Sequence, residues 1–141
     1  VRYIMGSGST VAAVMDSLGL SNTLLGVDVV EDGQVIASDV TAAQLLSLCE
    51  HHPAQLVITL IGGQGHVLGR GNQQLSPPLI KHLGMENIHI IATKTKLKKL
   101  AGRPLLVDSG DPQLDIDLAG LVPVICGFHD VVLYPLGNSQ A

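Results

Sequence analysis

The sequence predicts an α/β fold: a mostly parallel, Rossmann-like sheet with helices on both faces and antiparallel hairpins at its edges. Three observations predict it. Short strand-like runs alternate with helix-period runs along the whole chain. The run Gln55–Ile61 is almost continuously apolar, as in a strand buried on both faces. Two pairs of runs, one around Glu31-Asp32-Gly33 and one formed by Val122–Cys126 with Val131–Leu136, are spaced as hairpins. At 141 residues the chain has one domain's worth of sequence, and residues 1–141 are read as a single α/β domain.

The elements follow in order. Tyr3–Met5 reads as a strand running into Gly6-Ser7-Gly8-Ser9-Thr10. Val11, Val14, Met15 and Leu18 then mark one face of a helix, with Gly19 at its stop. Thr23–Val30 is strand-like and turns back into Gln34–Ala37. Thr41 is placed to cap a helix whose apolar face is Ala42, Leu45, Leu46 and Cys49, and which ends near His51-His52-Pro53. After the buried strand comes a long polar, glycine-rich loop, Gly62 to Leu75. Ser76-Pro77 opens a capped helix that Gly84 stops. Asn87–Ala92 is a strand, Lys94–Ala101 a cationic helix, Pro104–Val107 a strand and Pro112–Ala119 a helix before the final pair.

Composition narrows the function classes. Charged residues are 14% and apolar residues 46%, against a usual charged fraction of about 25%. Disorder and coiled coil are excluded, and the apolar surplus points to a buried interface, with a homo-oligomer or with a partner domain. The net charge of −4 and an aromatic content of 2% argue against nucleic acid. No apolar run approaches the roughly 20 residues of a membrane span, and the sequence does not open on a Lys/Arg-plus-apolar signal. Cys49 and Cys126 lack C-x-x-C spacing and read as buried free thiols, which fits a cytoplasmic protein. The abrupt strand at the start reads as a piece of a longer chain.

Three loops carry the polar chemistry. Gly6, Ser7, Gly8, Ser9 and Thr10 lie between a strand and a helix, where exposed N–H groups, hydroxyls and the helix dipole favour a phosphate. A tight turn with Ser/Thr capping is the structural alternative. Gly62, Gly63, Gln64 and Gly65 precede His66, and Arg70, Asn72 and Gln73 follow in a second glycine-rich stretch. Arg70 can grip an anion in a bidentate fork, while Asn72 and Gln73 can read an amide or a ribose. Asp108 and Asp111 end a strand and can hold a hydroxyl pair or Mg²⁺; Asp111, before Pro112, is also placed as a helix cap. Asp28 is a lone acid in an apolar strand, read as a strand-end functional group, with a satisfied structural Asp as the alternative. The cationic run from Lys94 to Arg103 reads as a solvated face, with a nucleotide phosphate as the sharper alternative. No zinc-type spacing occurs. Ligands of such sheets sit at the carboxyl ends of strands, so the three loops are expected to gather along one rim.

These blocks, taken in order, resemble the C-terminal half of the ATP-NAD kinase-like family, which includes acetoin catabolism protein X-type members. The blocks are Tyr3–Thr10, Thr23–Val30, Ile61–Gly65 with Gly69–Pro77, and Leu106–Asp111. The resemblance implies ATP with Mg²⁺ and NAD as cofactors and substrates. It also implies a preceding kinase domain with a Gly-Gly-Asp-Gly motif. Gly62-Gly63-Gln64-Gly65 imitates that motif, but Gln64 is not an acid and cannot serve as base or metal ligand. The catalytic residues are therefore expected outside this chain. True NAD kinases have a β-rich C-terminal half, whereas periodicity here reads as strand–helix alternation. Gly6–Thr10 is also similar to the phosphate loop of ribose-5-phosphate isomerase and of sugar-phosphate sensors, which makes a sugar-phosphate domain the alternative function.

Overall fold

Local sequence chemistry sets most of the elements. A computed structural model describes residues 1–6, 9–20, 27–50, 52–60, 65–68, 74–127 and 130–138. In chain order they form β1 (Arg2–Met5), α1 (Ser9–Ser17), β2 (Asp28–Glu31), β3 (Gln34–Ala37), α2 (Ala42–Cys49), β4 (Ala54–Thr59) and β5 (His66–Leu68). There follow α3 (Pro77–Leu83), a 3-10 turn (Met85–Asn87), β6 (Ile88–Ile91), α4 (Lys94–Lys98), β7 (Leu105–Val107), α5 (Pro112–Leu118), β8 (Gly120–Gly127) and β9 (Asp130–Asn138). Asp32 and Gly33 both take positive φ, 52° and 74°, the two-residue turn that matches strand twist in the β2–β3 hairpin.

The caps show which sequence signals were physical. Thr41 and Gln44 make a reciprocal capping box at α2. Thr93 accepts from Lys96 N–H at α4, and Asp111 accepts from Gln113 and Leu114 N–H at α5. Ser76 stands at the N-cap of α3 but makes no cap bond, contrary to expectation. Pro78 occupies the second helical position and has no N–H to give, so the Ser76 hydroxyl is buried without a partner.

The described strands form one sheet in the order β3-β2-β1-β4-β6-β8-β9-β7-β5. β1, β4, β6 and β8 run parallel to one another. β9 is antiparallel to β8, and β7 and β5 run with β9. Two parallel blocks of opposite polarity are thus joined through one hairpin, and β2–β3 adds an antiparallel edge. This is the α/β sheet expected, with one missed strand. His66–Leu68 was read as part of a long loop, yet all three residues are buried and pair with β7.

Helices lie on both faces. The main core packs Ile4, Leu56, Ile58, Ile90 and Val124 against Leu45, Cys49, Leu79 and Leu114 of α2, α3 and α5. On the other face a smaller cluster joins Met5 and Val30 to Val11 and Met15 of α1. A polar chain ties the 3-10 turn to the sheet: His89 meets Gln55, which donates to Asn87, which donates to the Leu83 carbonyl. Cys49 is buried, but Cys126 is only part-buried, a correction to the reading of both as buried thiols.

Registers also correct the single-rim expectation. Gly120, the first residue of β8, pairs with Leu136, while Leu105 and Val107 pair with Leu136 and Asn138. Asp108 therefore emerges where β8 begins. Gly6 emerges where β1, β4 and β6 finish. The two loops lie at opposite ends of the sheet, about 25 Å apart for a strand of this length. The physical reason is the β8–β9 hairpin, which reverses polarity, so the carboxyl ends of β5 and β7 face the other way.

Candidate functional site

The end where β1, β4 and β6 finish is the better-formed site. Gly6 N–H donates to the Val57 carbonyl at 2.9 Å, carrying the β1–β4 pairing one residue past the strand. A Cβ on Gly6 would lie 3.1 Å from Ile58 Cγ2 and 3.2 Å from the Val57 oxygen. The absence of a side chain lets the chain hug β4 before it turns into α1. Ser7 and Gly8 lie outside the described residues, as does the side chain of Ser9. Helix α1 then presents its amino terminus at this end, and with it unpaired N–H groups and a partial positive charge.

Two further groups stand at this end, Lys96 from the cationic run and Thr59, which the sequence did not single out. The Lys96 ammonium, on α4, donates to the Thr10 hydroxyl oxygen at 3.0 Å. This contact joins residues 86 apart in sequence and puts a full positive charge beside the first turn of α1. Thr59, the last residue of β4, is 0% exposed, and its hydroxyl has no hydrogen-bond partner. It stands on the same face of β4 as Val57, which packs with the α1 cluster. A buried hydroxyl left unpaired costs about 1–3 kcal/mol. The sequence signal for Thr59 was a lone polar residue in the run Leu56–Ile61. For Lys96 it was the cationic run after β6, read as a solvated face.

Asp28 reaches the same end, because it pairs with Met5 across β1–β2. It is 2% exposed and accepts from Asp39 N–H at 2.9 Å, which ties down the turn after β3. Lys94 and Asp130 bridge at 2.9 Å on the surface of this end, and the Asp130 carboxylate raises the Lys94 ammonium pKa.

The other expected residues belong to the opposite end or fall outside the described chain. Gly62, Gly63 and Gln64 are outside it, as are Arg70, Asn72 and Gln73. Gly65 is described: its carbonyl accepts from Leu106 N–H, and its φ is +84°. Asp108 N–H donates to the Leu68 carbonyl at 3.1 Å. The Asp108 side chain is exposed. Asp111 caps α5 and pairs with Lys81 at 2.8 Å; that ammonium, with the Leu114 and Gln113 N–H groups, holds its carboxyl below the ordinary range. Asp115, buried, accepts from Ser109 N–H at 3.0 Å and from its hydroxyl at 2.6 Å, which fixes the loop internally. Among the described residues no three carboxylate, imidazole or thiol side chains converge as a metal site. Among the same residues no helix is long and apolar enough to cross a membrane.

The fold is an α/β sheet with helices on both faces, and helix α1 starts at the end where β1, β4 and β6 finish. The family model for the ATP-NAD kinase C-terminal domain matches residues 1–136. The chain belongs to that family. No curated protein and no solved structure matches it.

Proposed function

We propose that this chain is the ligand-binding C-terminal part of an ATP-NAD kinase, and that the β1–α1 end takes a phosphate of one of its nucleotides. The observation that supports this is the Lys96 ammonium at the Thr10 hydroxyl in the first turn of α1, with the unpaired Thr59 hydroxyl at the same end of the sheet. A phosphate there accepts from free N–H groups at the amino terminus of α1, pairs with the Lys96 ammonium and accepts from Thr59. Ser7, Gly8 and Ser9 belong to the same loop in this reading. The site binds and orients; the described acid at this end, Asp28, accepts from the Asp39 N–H. The general base for phosphoryl transfer from ATP to NAD comes from an N-terminal domain, since Gln64 cannot act as one. Magnesium supplies charge neutralisation at the transferred phosphoryl group, and the described residues do not form a site for it. Asp108 stands at the far end of the sheet and serves another part of the ligand, a role that Arg70, Asn72 and Gln73 share in this reading.

Titration calorimetry of the chain with NAD, ADP and inorganic phosphate tests the reading, with ribose 5-phosphate as the competing sugar phosphate. NAD or ADP binds, and Lys96→Ala weakens it about tenfold, the scale of one charge-assisted hydrogen bond. Ribose 5-phosphate binding with no nucleotide binding overturns the kinase assignment. Equal affinity in Lys96→Ala overturns the site. ATP-dependent NAD phosphorylation is expected only from a chain that includes the N-terminal domain.

A further inference from the structure

A groove runs along the edge of the sheet beside α2. It is lined by Ala37, Val40, Ala43, Gln44, Ser47 and Leu48 and encloses about 440 Å³. Leu45 and Cys49 of α2 face the core, and Ala43, Gln44, Ser47 and Leu48 recur at i, i+1, i+4 and i+5 on a neighbouring flank. Among the described strands β3 is outermost and has β2 as its one neighbour. The surroundings of the groove are acidic. Residues 3–69 hold Asp16, Asp28, Glu31, Asp32, Asp39 and Glu50 and no lysine or arginine. Asp39 adjoins Val40 at one end of the groove, and Glu50 stands two residues past Leu48 at the other; both are exposed. The ion pairs among the described residues, Arg2–Glu31, Lys81–Asp111 and Lys94–Asp130, include neither.

We propose that this groove receives an amphipathic helix of the N-terminal domain, with an apolar stripe flanked by Lys and Arg. The inference rests on the reading of the chain as the C-terminal part of a two-domain kinase. Charge selects the occupant: acids at both ends of the groove, without a cation of this chain to pair them, match a basic rim and repel an acidic one. The chain's own cationic helix, α4, buries Leu97 in the core, with Leu100 just beyond it, so a second copy has no apolar stripe to offer. Shape selects a helix over an added strand. Val30 pairs with Val35 and Val29 with Ala37, so Ile36 is an extra residue that bulges the open edge of β3. A bulge turns an edge away from strand pairing. The α2 flank instead offers Ala43 and Ser47, one turn apart, whose small side chains let a second helix approach. From Ala43 to Leu48 the flank is about 8 Å long, which one i, i+3, i+4, i+7 stripe of about 10 Å covers. A domain joined ahead of β1 is tethered at this groove, because the Arg2 guanidinium donates to the Leu48 carbonyl at 3.0 Å.

Hydrogen exchange read by mass spectrometry tests this, on the chain alone and on a chain that includes the N-terminal domain. Amides of residues 40–50 exchange about tenfold or more slowly when the N-terminal domain is present. Ala43→Arg with Ser47→Arg returns them to the rate of the chain alone. Both positions are exposed, so this pair leaves the Tm of the chain alone within about 2 °C. Asp39→Asn with Glu50→Lys keeps the apolar lining and lowers the protection about 3–10-fold, the scale of two exposed ion pairs. Equal exchange with and without the N-terminal domain, or protection that survives the Ala43 and Ser47 substitutions, overturns the proposal. Should that pair unfold the chain, the Asp39 and Glu50 pair decides, and protection unchanged by it overturns the basic occupant. Nucleotide binding is read separately by calorimetry: a protein that keeps the protected groove and binds no nucleotide overturns the functional reading and leaves the docking in place.

Discussion

Replacing Thr59 by valine should stabilise the unliganded protein and weaken its ligand, a pairing of signs that few other substitutions would give. Thr59 is 0% exposed and its hydroxyl has no partner, so folding strips water from that oxygen without replacement. The penalty is about 1–3 kcal/mol. Valine keeps the branched shape favoured in a strand and puts a methyl group where the hydroxyl was, adding a little apolar burial. The expected gain is about 1–2 kcal/mol. For a domain of this size that raises Tm by roughly 4 °C per kcal/mol, so by about 4–8 °C. Urea unfolding with and without ADP is the assay. Without ADP the Thr59→Val midpoint rises at unchanged m-value. With saturating ADP the added stabilisation is smaller than in the wild type, because one hydrogen bond to phosphate is lost, about 3–10-fold in Kd. A variant destabilised by 1 kcal/mol or more (order of magnitude) would mean that the hydroxyl is already satisfied, and the argument for a ligand at this end would fall with it.

Three other outcomes follow from the geometry. Gly65→Ala should cost about 2–4 kcal/mol, because φ is +84° and the new Cβ would meet Leu100 Cδ2 at 2.9 Å; Gly102→Ala, at φ +83° with open space around it, should cost only about 1 kcal/mol. Equal costs in denaturant melts would remove the packing part of that account. Asp111→Asn should lower Tm at neutral pH and flatten the acid limb of the stability curve. The Lys81 ammonium holds the folded Asp111 pKa below its ordinary value of 3.8, so its stabilisation is full above about pH 4 and fades as pH falls through the folded value. Melting curves between about pH 4 and pH 2 that are parallel in variant and wild type would contradict this. Burial pushes both thiols up, Cys49 by desolvation and Cys126 by desolvation and then the Asp130 charge. A disulfide reagent at mildly alkaline pH should therefore react slowly with Cys126 and reach Cys49 only on unfolding, and mass spectrometry of the native adduct would show a reversed order directly.

Much of the fold was legible because it is written in local chemistry. The Asp32-Gly33 turn, the Thr41 capping box, Asp111 before Pro112, and the buried run of β4 each carry their own signal. The strand His66–Leu68 did not, since three residues between glycines are too few to show a period. The polarity of β7 and β5 was illegible for a different reason. Their direction is fixed by β9, which follows them in sequence and pairs with β7 over three positions. Glycine-rich loops at the ends of their own strands thus looked alike but face opposite ways. The site was half legible: Gly6–Thr10 stood out by composition, whereas Thr59 and Lys96 matter only through contacts across the fold, such as the one between positions 10 and 96.

The position of β9 has a consequence for how the chain assembles. It is inserted between β8 and β7, although β7 and β5 precede it in sequence. The first block, β1 with β4 and β6, can accrete strand by strand as the polypeptide emerges. The second block has no neighbour to hold it until β9 is made. Val107 and Leu105 are held in register by Asn138 and Leu136, and β5 hangs on β7 alone. A nascent chain that stops short of residue 130 therefore carries two orphan strands with their apolar side chains uncovered, a state prone to mispairing with other chains. The emergence of β9 sets the moment at which the second half of the sheet can exist.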